Sequence, residues 1–421
     1  MLLEFRVENY KSFRDEAIFS LVASKDKHLE SSHTQKTGIN SPQSSLRSAA
    51  IFGQNAGGKS NLISAMQTMR AIVLKSANLM PEQKISVAKP FLLNAHSKSK
   101  PTSFEATFIS QGVRYQYRFS ILEGVVVEEY LNTYLTAKPQ SWIKRKCDQK
   151  KDVDLINFSP NLQGEKSLWK KSTKKNSLVL SVAVNLNSQS LFPVYEWFAK
   201  LTTINEREKF SVSHSMALME NDDFRREVLS FIKAADISIS DIKIVKEKGN
   251  KTEFKINSEG KDPEVVTEEN VELKKLILTH ESSTGDFVEF ELYDESTGTR
   301  ELLSLIPPIL NILRNGSTLV IDEIDSSLHP LLVRRLIKIF NDHRINKNGA
   351  QLIFTLHNTN ILDQNSIRRD QIWFIEKGKD QESKLFSLLE LEARNSEAFE
   401  SRYLTGRYGG LPFLEDWEPS H

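Results

Sequence analysis

The spacing of hydrophobic residues predicts β-strands near the start of the chain. An apolar/polar alternation opens the chain at Leu2–Val7. Three more strand-like runs follow about one hundred residues later: Phe104–Ile109, Val113–Leu122 and Val125–Tyr134. Gly112 and Gly124 lie in the short segments between those runs, where glycine favours tight turns. The three later runs therefore predict an antiparallel β-meander.

Strands and helices alternate elsewhere. An apolar strand at Arg47–Phe52 precedes a glycine-rich turn and a helical pattern at Asn61–Val73. The last third of the chain predicts, in order, a helix at Thr299–Leu313, a strand at Thr318–Ile321, a helix at Pro330–Asn341, and strands at Gln351–Thr355 and Gln371–Glu376. Such alternation predicts a mostly parallel sheet, so the fold class expected is α/β.

The middle of the chain has a pattern of its own. Helical periodicity occurs at Leu178–Leu186, Leu191–Leu201 and Phe224–Ala235, and strand-like runs follow at Ile237–Val245 and Glu253–Ile256. We therefore expect an inserted α/β subdomain at 136–273. It would separate an N-terminal lobe, 1–135, from a C-terminal lobe, 274–421.

Composition narrows the class of protein. The 421 residues are 39% hydrophobic and 26% charged with a net charge of +1, as in a folded globular chain. Cys147 is the single cysteine, which excludes an internal disulfide and a cysteine-based zinc cluster. The apolar stretch Leu302–Leu313 is too short to span a bilayer, and the charged start of the chain, from Glu4 onward, is unlike a secretory signal. We expect a soluble cytoplasmic protein without membrane contact.

The near-zero net charge conceals two opposite segments. Lys138–Lys175 carries eleven Lys or Arg against four Asp or Glu, with Trp142, Phe158 and Trp169 among them, whereas Glu259–Glu301 carries thirteen acidic residues against four basic ones. A basic stretch with aromatic residues can hold nucleic acid by phosphate neutralisation and base stacking. It can equally dock an acidic partner or form a solvated loop, and the sequence leaves these alternatives open.

The strongest chemical signal follows the strand at Arg47–Phe52. Residues 53–60 read Gly-Gln-Asn-Ala-Gly-Gly-Lys-Ser, which matches the phosphate-binding loop pattern GxxxxGK followed by Ser or Thr. Glycines allow backbone N–H groups to surround phosphate oxygens, the lysine reaches the β- and γ-phosphates, and the serine hydroxyl binds Mg²⁺. The predicted contacts to ATP come from Gly53, Asn55, Gly57, Gly58, Lys59, Ser60 and Asn61.

A second element is the apolar strand that ends in Asp322-Glu323. The carboxylate of Asp322 can hold Mg²⁺ together with Ser60, and Glu323 can activate the attacking water. Asp322 comes 263 residues after Lys59, so a large segment separates the two halves of the sheet. This split arrangement resembles the ABC-type ATPases, including their SMC-like and chromosome-repair branch.

The ABC resemblance implies further site residues. Ser296, Thr297 and Gly298 stand about 25 residues before Asp322, where that family keeps its signature motif, although they depart from the usual LSGGQ letters. Asp325 resembles the start of the D-loop, and His357, in FTLHNTN, resembles the switch histidine that senses the γ-phosphate. The resemblance implies that signature residues complete the site of an opposing subunit, as in a homodimer or higher homo-oligomer.

Several segments outside these motifs resemble one bacterial family from end to end. They are LLEFRVENYKSF, FIKAADISISDI, RRDQIWFIEK and YLTGRYGGLP, and they are similar to the AbiL/RloA-type ATPases of abortive infection and restriction-linked phage defence. The resemblance implies an ATPase that hydrolyses ATP with Mg²⁺ to gate assembly or release of a separately encoded effector, often a Toprim-like nuclease.

Two other functions remain open at this stage. The first is a genome-maintenance ATPase of the recombination-repair type, against which the absence of a long heptad run argues. The second is a non-enzymatic scaffold that holds ATP and inhibits a toxin, against which Glu323 and His357 argue. We expect no nuclease activity in the chain itself, because the 64 residues after His357 lack the acidic constellation of a Toprim domain.

Overall fold

The structure is a computed structural model that describes residues 1–148, 153–205, 210–235, 238–255, 264–326, 328–395 and 397–411. The strands are β1 (Leu2–Glu8), β2 (Ala17–Ser20), β3 (Thr34–Lys36), β4 (Ser44–Leu46), β5 (Ser48–Gly53), β6 (Thr102–Ser110), β7 (Val113–Leu122), β8 (Val125–Tyr134), β9 (Gln140–Asp148), β10 (Val153–Phe158), β11 (Thr202–Ile204), β12 (Asp241–Lys255), β13 (Glu264–Glu281), β14 (Phe287–Glu291), β15 (Thr318–Ile321), β16 (Gln351–Thr355), β17 (Ile372–Lys377) and β18 (Ser383–Ser387). The helices are α1 (Glu30–His33), α2 (Lys59–Lys75), α3 (Ala95–Lys98), α4 (Lys166–Ser172), α5 (Val179–Asn185), α6 (Phe192–Lys200), α7 (Val212–Met219), α8 (Asp222–Lys233), α9 (Thr297–Asn315), α10 (Pro330–Asn341) and α11 (Phe399–Leu404).

A mostly parallel sheet carries the sequence motifs. Among the described residues its strand order is β11-β15-β16-β5-β17-β18, and every neighbouring pair is parallel except β17 and β18. Strands β5, β15 and β16 are buried along nearly their whole length, which explains their continuous apolar runs. The α/β fold and the split, mostly parallel sheet predicted from the sequence are therefore confirmed.

A second sheet is antiparallel and contains the predicted meander. In the part of the chain that is described, its order is β10-β9-β8-β7-β6-β1-β2. The described residues of the basic stretch Lys138–Lys175 include β9, β10 and α4, within and beside this sheet, so the alternative of a solvated loop does not hold for them. Trp142 and Trp169 are buried, so their rings are not available to stack on nucleic acid bases.

Buried charged residues connect this second sheet to the start of α5. The carboxylate of Glu129, on β8, accepts hydrogen bonds from the backbone N–H of Val179 and of Leu180 at 2.7 and 3.0 Å. Arg145, on β9, donates to the Ser177 carbonyl at 2.6 Å, just before α5. Helices α5 and α6 in turn pack against α2. Glu129 and Arg145 therefore help to position α2, the helix that follows the glycine-rich loop, through their hydrogen bonds to the segment at the start of α5.

The described residues divide into two compact units. One comprises residues 1–207 and 312–421, and the other comprises 208–311, with α7, α8, the antiparallel sheet β12-β13-β14 and most of α9. The lobes 1–135 and 274–421 and the insertion 136–273, proposed from the sequence, stay a prediction about domain organisation. Within the described ranges, none of the helices has both the length and the apolar character required to cross a bilayer.

Candidate functional site

The loop between β5 and α2 depends on glycines at two places. Gly53 has φ +152°, and a Cβ there would lie 2.2 Å from the carbonyl oxygen of Ile375 on the neighbouring strand β17. Gly58 has φ +119°, and a Cβ there would lie 2.2 Å from Ser383 Oγ. Both positions combine a backbone conformation that favours glycine with a close approach, so larger residues would push the loop out of shape.

Lys59, the first residue of α2, has its side chain folded back into this loop. Its Nζ donates to the carbonyl oxygens of Gly53 at 2.6 Å and Gln54 at 3.4 Å. Burial lowers the pKa of Lys59, and the nearby carboxylates of Glu323, Asp322 and Asp325 oppose that shift. The structure thus places a partly desolvated ammonium group within the field of all three carboxylates.

Two serines far apart in the sequence hold the loop from outside. Ser383 Oγ donates to the Gly57 carbonyl at 2.6 Å, and Ser383 N donates to the Ser12 carbonyl at 2.7 Å. The side-chain amide of Asn61 donates to Ser12 Oγ at 2.7 Å. Sequence reasoning missed Ser12 and Ser383, since an isolated serine carries no pattern that marks such a contact.

Asp322 and Glu323 are positioned by a residue on the adjacent strand. Thr355, at the end of β16, donates from Oγ1 to Asp322 Oδ1 at 2.5 Å and accepts from the backbone N–H of Glu323 at 2.7 Å. Glu323 itself has φ +51°, an uncommon conformation for a residue other than glycine. Thr355 was also missed, although a polar residue that ends an apolar strand two positions before His357 was a usable signal.

His357 lies within hydrogen-bond distance of Glu323. Its Nε2 is 3.1 Å from Glu323 Oε1. Asp325 holds the loop of His357, because Asp325 Oδ2 accepts from the backbone N–H of His357 at 2.9 Å and of Asn358 at 2.8 Å. Asp325 Oδ1 is buried and has no hydrogen-bond partner among the described residues. The contact of Asp325 with nucleotide or with a partner subunit stays a prediction.

These groups share one pocket of about 460 Å³. Residues 54–61 line it together with Glu323 and His357, so Asn55, Gly57, Gly58, Lys59, Ser60 and Asn61 of the predicted set meet there. Gly53 adjoins it through its hydrogen bond from Lys59, and the Asp322 carboxylate lies close enough to Lys59 to raise the pKa of that lysine against the effect of burial. Backbone N–H groups, one cation and a nearby carboxylate form a donor set that suits a polyphosphate with a divalent metal ion.

The predicted signature residues belong to the unit 208–311. Ser296 directly precedes α9, and its Oγ accepts from the backbone N–H of Thr299 at 3.2 Å, as a helix N-cap does. Thr297 Oγ1 accepts from an Arg300 guanidinium nitrogen at 3.2 Å. Among the described atoms, a Cβ added to Gly298 would meet only Ser296 Oγ, at 3.9 Å, so packing against them does not require glycine there.

Comparison with known proteins identifies one family. A family model described as "AAA domain, putative AbiEii toxin, Type IV TA system" matches residues 48–363. That range contains the glycine-rich loop, Asp322-Glu323 and His357. Among solved structures, the SMC head domain from Thermotoga maritima is similar at 12% identity with a TM-score of 0.39, over 92% of this chain and 98% of that chain. A search of curated proteins found no match.

Proposed function

We propose a function from one premise: this chain belongs to the AAA-domain family whose model matches residues 48–363. The proposed activity is hydrolysis of ATP with Mg²⁺, in an ATPase of the ABC/SMC-like type. One observation carries the proposal, namely the pocket in which the glycine-rich loop with Lys59 faces Glu323 and His357. A glycine-rich loop with a purely structural role would not require the buried ammonium group of Lys59 close to the carboxylate of Glu323.

The residues divide the work by their chemistry. Lys59 and the N–H groups of the loop would bind the β- and γ-phosphates and orient them. The Ser60 hydroxyl and the Asp322 carboxylate would hold Mg²⁺, which neutralises charge that develops on the phosphate oxygens. Thr355 keeps the Asp322 carboxylate in place by its hydrogen bond. Each group therefore acts in binding or orientation before any proton moves.

Glu323 would take the proton of the attacking water, because a carboxylate that lines the pocket of the glycine-rich loop, here called the phosphate pocket, can act as a general base. His357 Nε2, 3.1 Å from Glu323 Oε1, would fix the orientation of that carboxylate and lie near the γ-phosphate. Asp325 would keep His357 at this distance through the backbone of the loop.

The biological setting proposed is antiphage defence. The matched family carries a toxin of a type IV toxin–antitoxin system in its description, and the segments quoted above resemble abortive-infection ATPases. In this proposal ATP closes a cytoplasmic homodimer, with Ser296, Thr297 and Gly298 of each subunit completing the opposite site. Hydrolysis then gates a separately encoded effector such as a Toprim-like nuclease, and the basic surface of Lys138–Lys175 can contact nucleic acid.

Glu323→Gln tests the catalytic assignment. The amide keeps the shape of the side chain but cannot accept a proton, so MgATP binding should persist while turnover falls about 10²- to 10⁴-fold. Phosphate release measures turnover, and nucleotide titration measures affinity. Glu82→Gln, on an exposed loop, is the matched control and should hydrolyse ATP at the parental rate. Turnover by Glu323→Gln at the parental rate would place the general base elsewhere.

A mixing experiment tests the shared site separately. A Ser296→Ala/Gly298→Glu variant and Glu323→Gln should each be inactive alone. An equal mixture should recover about a quarter of the parental rate, since half of the dimers are mixed and each holds one complete site. Light scattering should show a doubled mass when ATP is added. A mass that ATP does not change, together with inactive Glu323→Gln, would reject the dimer and leave the ATPase assignment in place.

A further inference from the structure

A second pocket, of about 560 Å³, lies in the unit 1–207 with 312–421. One face of α10 forms a wall, with Arg334, Ile337, Lys338 and Asn341 at helical spacing. The residues 342–344 that follow α10, the end of α1 and the segment 360–366 form the rest of the lining. None of the residues that line the phosphate pocket takes part. The proposed ATPase activity therefore leaves this pocket unexplained.

Asn341 is a residue of the pocket lining and has an unused hydrogen-bond donor. The side chain is only 3% exposed, and its Nδ2 has no hydrogen-bond partner among the described residues. Asn341 Oδ1 accepts from Ser48 Oγ at 3.0 Å and from Gln371 Nε2 at 3.4 Å, so exchanging the two amide atoms would set NH₂ against NH₂. A buried N–H without a partner is costly, and an acceptor supplied by a ligand would satisfy it.

The lining is also rich in positive charge. Arg334, Lys338 and Arg344 contribute cations, against the single carboxylate of Asp342. Asp342 pairs with Arg344 at 2.6 Å, and the hydrogen bonds from that guanidinium hold the pKa of Asp342 far below its usual range, so its direct ion pair is with Arg344 rather than with Arg334 or Lys338. The Lys338 side chain forms no hydrogen bond or ion pair with the described residues. Two cations therefore remain uncompensated by a carboxylate of the pocket.

The uncharged residues of the lining and the volume of the pocket indicate the size and polarity of a suitable ligand. His33 has both ring nitrogens engaged, with Ser32 Oγ at 2.7 Å and the Ser366 carbonyl at 3.1 Å. Burial lowers the pKa of His33, so the ring is a neutral wall rather than another cation. Ile337 and Ile361 add apolar surface. A volume of this size is typical of pockets for small molecules.

We propose that this pocket binds a small molecule that carries a phosphate or carboxylate group on an apolar body. The anion would contact Lys338 and Arg334 and accept the free N–H of Asn341, while the apolar body rests on Ile337 and Ile361. Arg334 also donates to the Asn360 carbonyl at 2.6 Å, three residues after His357. This hydrogen bond connects the pocket wall to the segment that carries His357. The proposed ligand nevertheless binds without a nucleotide in the phosphate pocket.

Phenyl phosphate and benzoate are suitable probes, because each joins one of the two anions to the same apolar ring. Ligand-observed NMR titration of the full chain should show saturable binding of at least one probe, and comparison of the two separates a phosphate site from a carboxylate site. Lys338→Gln should weaken binding about tenfold, because it removes a charged hydrogen bond. The lysine side chain is exposed on α10, so this variant should fold normally.

Two controls locate the site. Lys347→Gln removes an exposed lysine outside the pocket and should leave the probe affinity unchanged. Lys59→Ala alters the phosphate pocket and should also leave it unchanged. No saturable binding of either probe would overturn the proposal. So would equal binding by Lys338→Gln, or loss of binding in Lys59→Ala, which would place the probes in the phosphate pocket.

Discussion

Thr355→Val tests how the acidic end of β15 is held. Thr355 is fully buried, and its single hydroxyl serves two groups at once: it donates to Asp322 Oδ1 at 2.5 Å and accepts from the N–H of Glu323 at 2.7 Å. Valine is β-branched like threonine and fills nearly the same space, so the change removes chiefly the hydroxyl. Two hydrogen bonds are lost, and both partners remain in place.

The magnitude follows from the kinds of bond involved. A hydrogen bond to a charged group contributes about 1.5–3 kcal/mol, and a neutral one contributes about 1 kcal/mol. The buried position of Asp322 prevents full compensation by water. We therefore expect Thr355→Val to lower the free energy of unfolding by about 3 kcal/mol. ATP turnover should fall as well, because the Asp322 carboxylate and the backbone N–H of Glu323 both lose the hydrogen bond that positions them.

The chain contains a matched control. Thr133 is also fully buried, but its Oγ1 has no hydrogen-bond partner among the described residues. Thr133→Val removes a hydroxyl that bonds to nothing, so stability should stay the same or rise by about 1 kcal/mol. Thr355→Ser keeps the hydroxyl and should retain most of the stability that valine loses. Urea unfolding of the three variants, followed by tryptophan fluorescence, gives the comparison.

Equal stability of Thr355→Val and Thr133→Val would refute the reasoning, since the two differ in the hydrogen bonds that the hydroxyl makes. A Thr355→Ser variant as unstable as Thr355→Val would also contradict it, because the methyl group rather than the hydroxyl would then be the stabilising part.

Two further predictions concern the glycine-rich loop. Lys59→Met should abolish MgATP binding and raise the melting temperature of the nucleotide-free protein, because it removes a buried charge. The pKa of Lys59 in the folded protein lies below 10.5, so this gain in stability should be full at neutral pH and shrink as the pH rises toward 10.5. A lower melting temperature at neutral pH would contradict the prediction. Gly58→Ala should destabilise the protein more than Gly112→Ala. Both glycines have positive φ, so each change costs about 1–2 kcal/mol in backbone strain, but only alanine at position 58 would also place its Cβ against Ser383 Oγ. Equal melting temperatures of the two variants would show that Ser383 moves away without cost.

Local pattern was enough to predict the elements that carry the site. The strand before the glycine-rich loop, the helix after it and the strand that ends at Asp322 all lie where the sequence places them, because each depends on spacing within a few residues. Helix α2 begins at Lys59 rather than Asn61. The spacing of apolar residues indicates which face of the helix is buried. Where the helix starts depends on the left-handed conformation of Gly58, which the spacing of apolar residues does not reveal.

Charge along the sequence was a weaker guide. The consecutive basic residues 144–146 belong to the stretch for which the sequence left a solvated loop open, yet Arg145 is fully buried, with Glu129 and Asp154 near its guanidinium. A charged residue in a strand can face solvent or a buried partner, and the choice depends on which strand lies beside it. The register between β8 and β9 decided the matter, and register between strands is a tertiary property.

The sequence by itself determined where the glycine-rich loop, the pair Asp322-Glu323 and His357 lie, because each is recognised from a few neighbouring residues. Only the tertiary structure placed Thr355 against Asp322, Ser383 against Gly57, and the free amide nitrogen of Asn341 at a second pocket. Each of these contacts depends on how separate strands or loops are aligned, which no local period encodes. Side-chain pairing between distant segments is the result of packing, so it becomes visible only once the sheet is assembled.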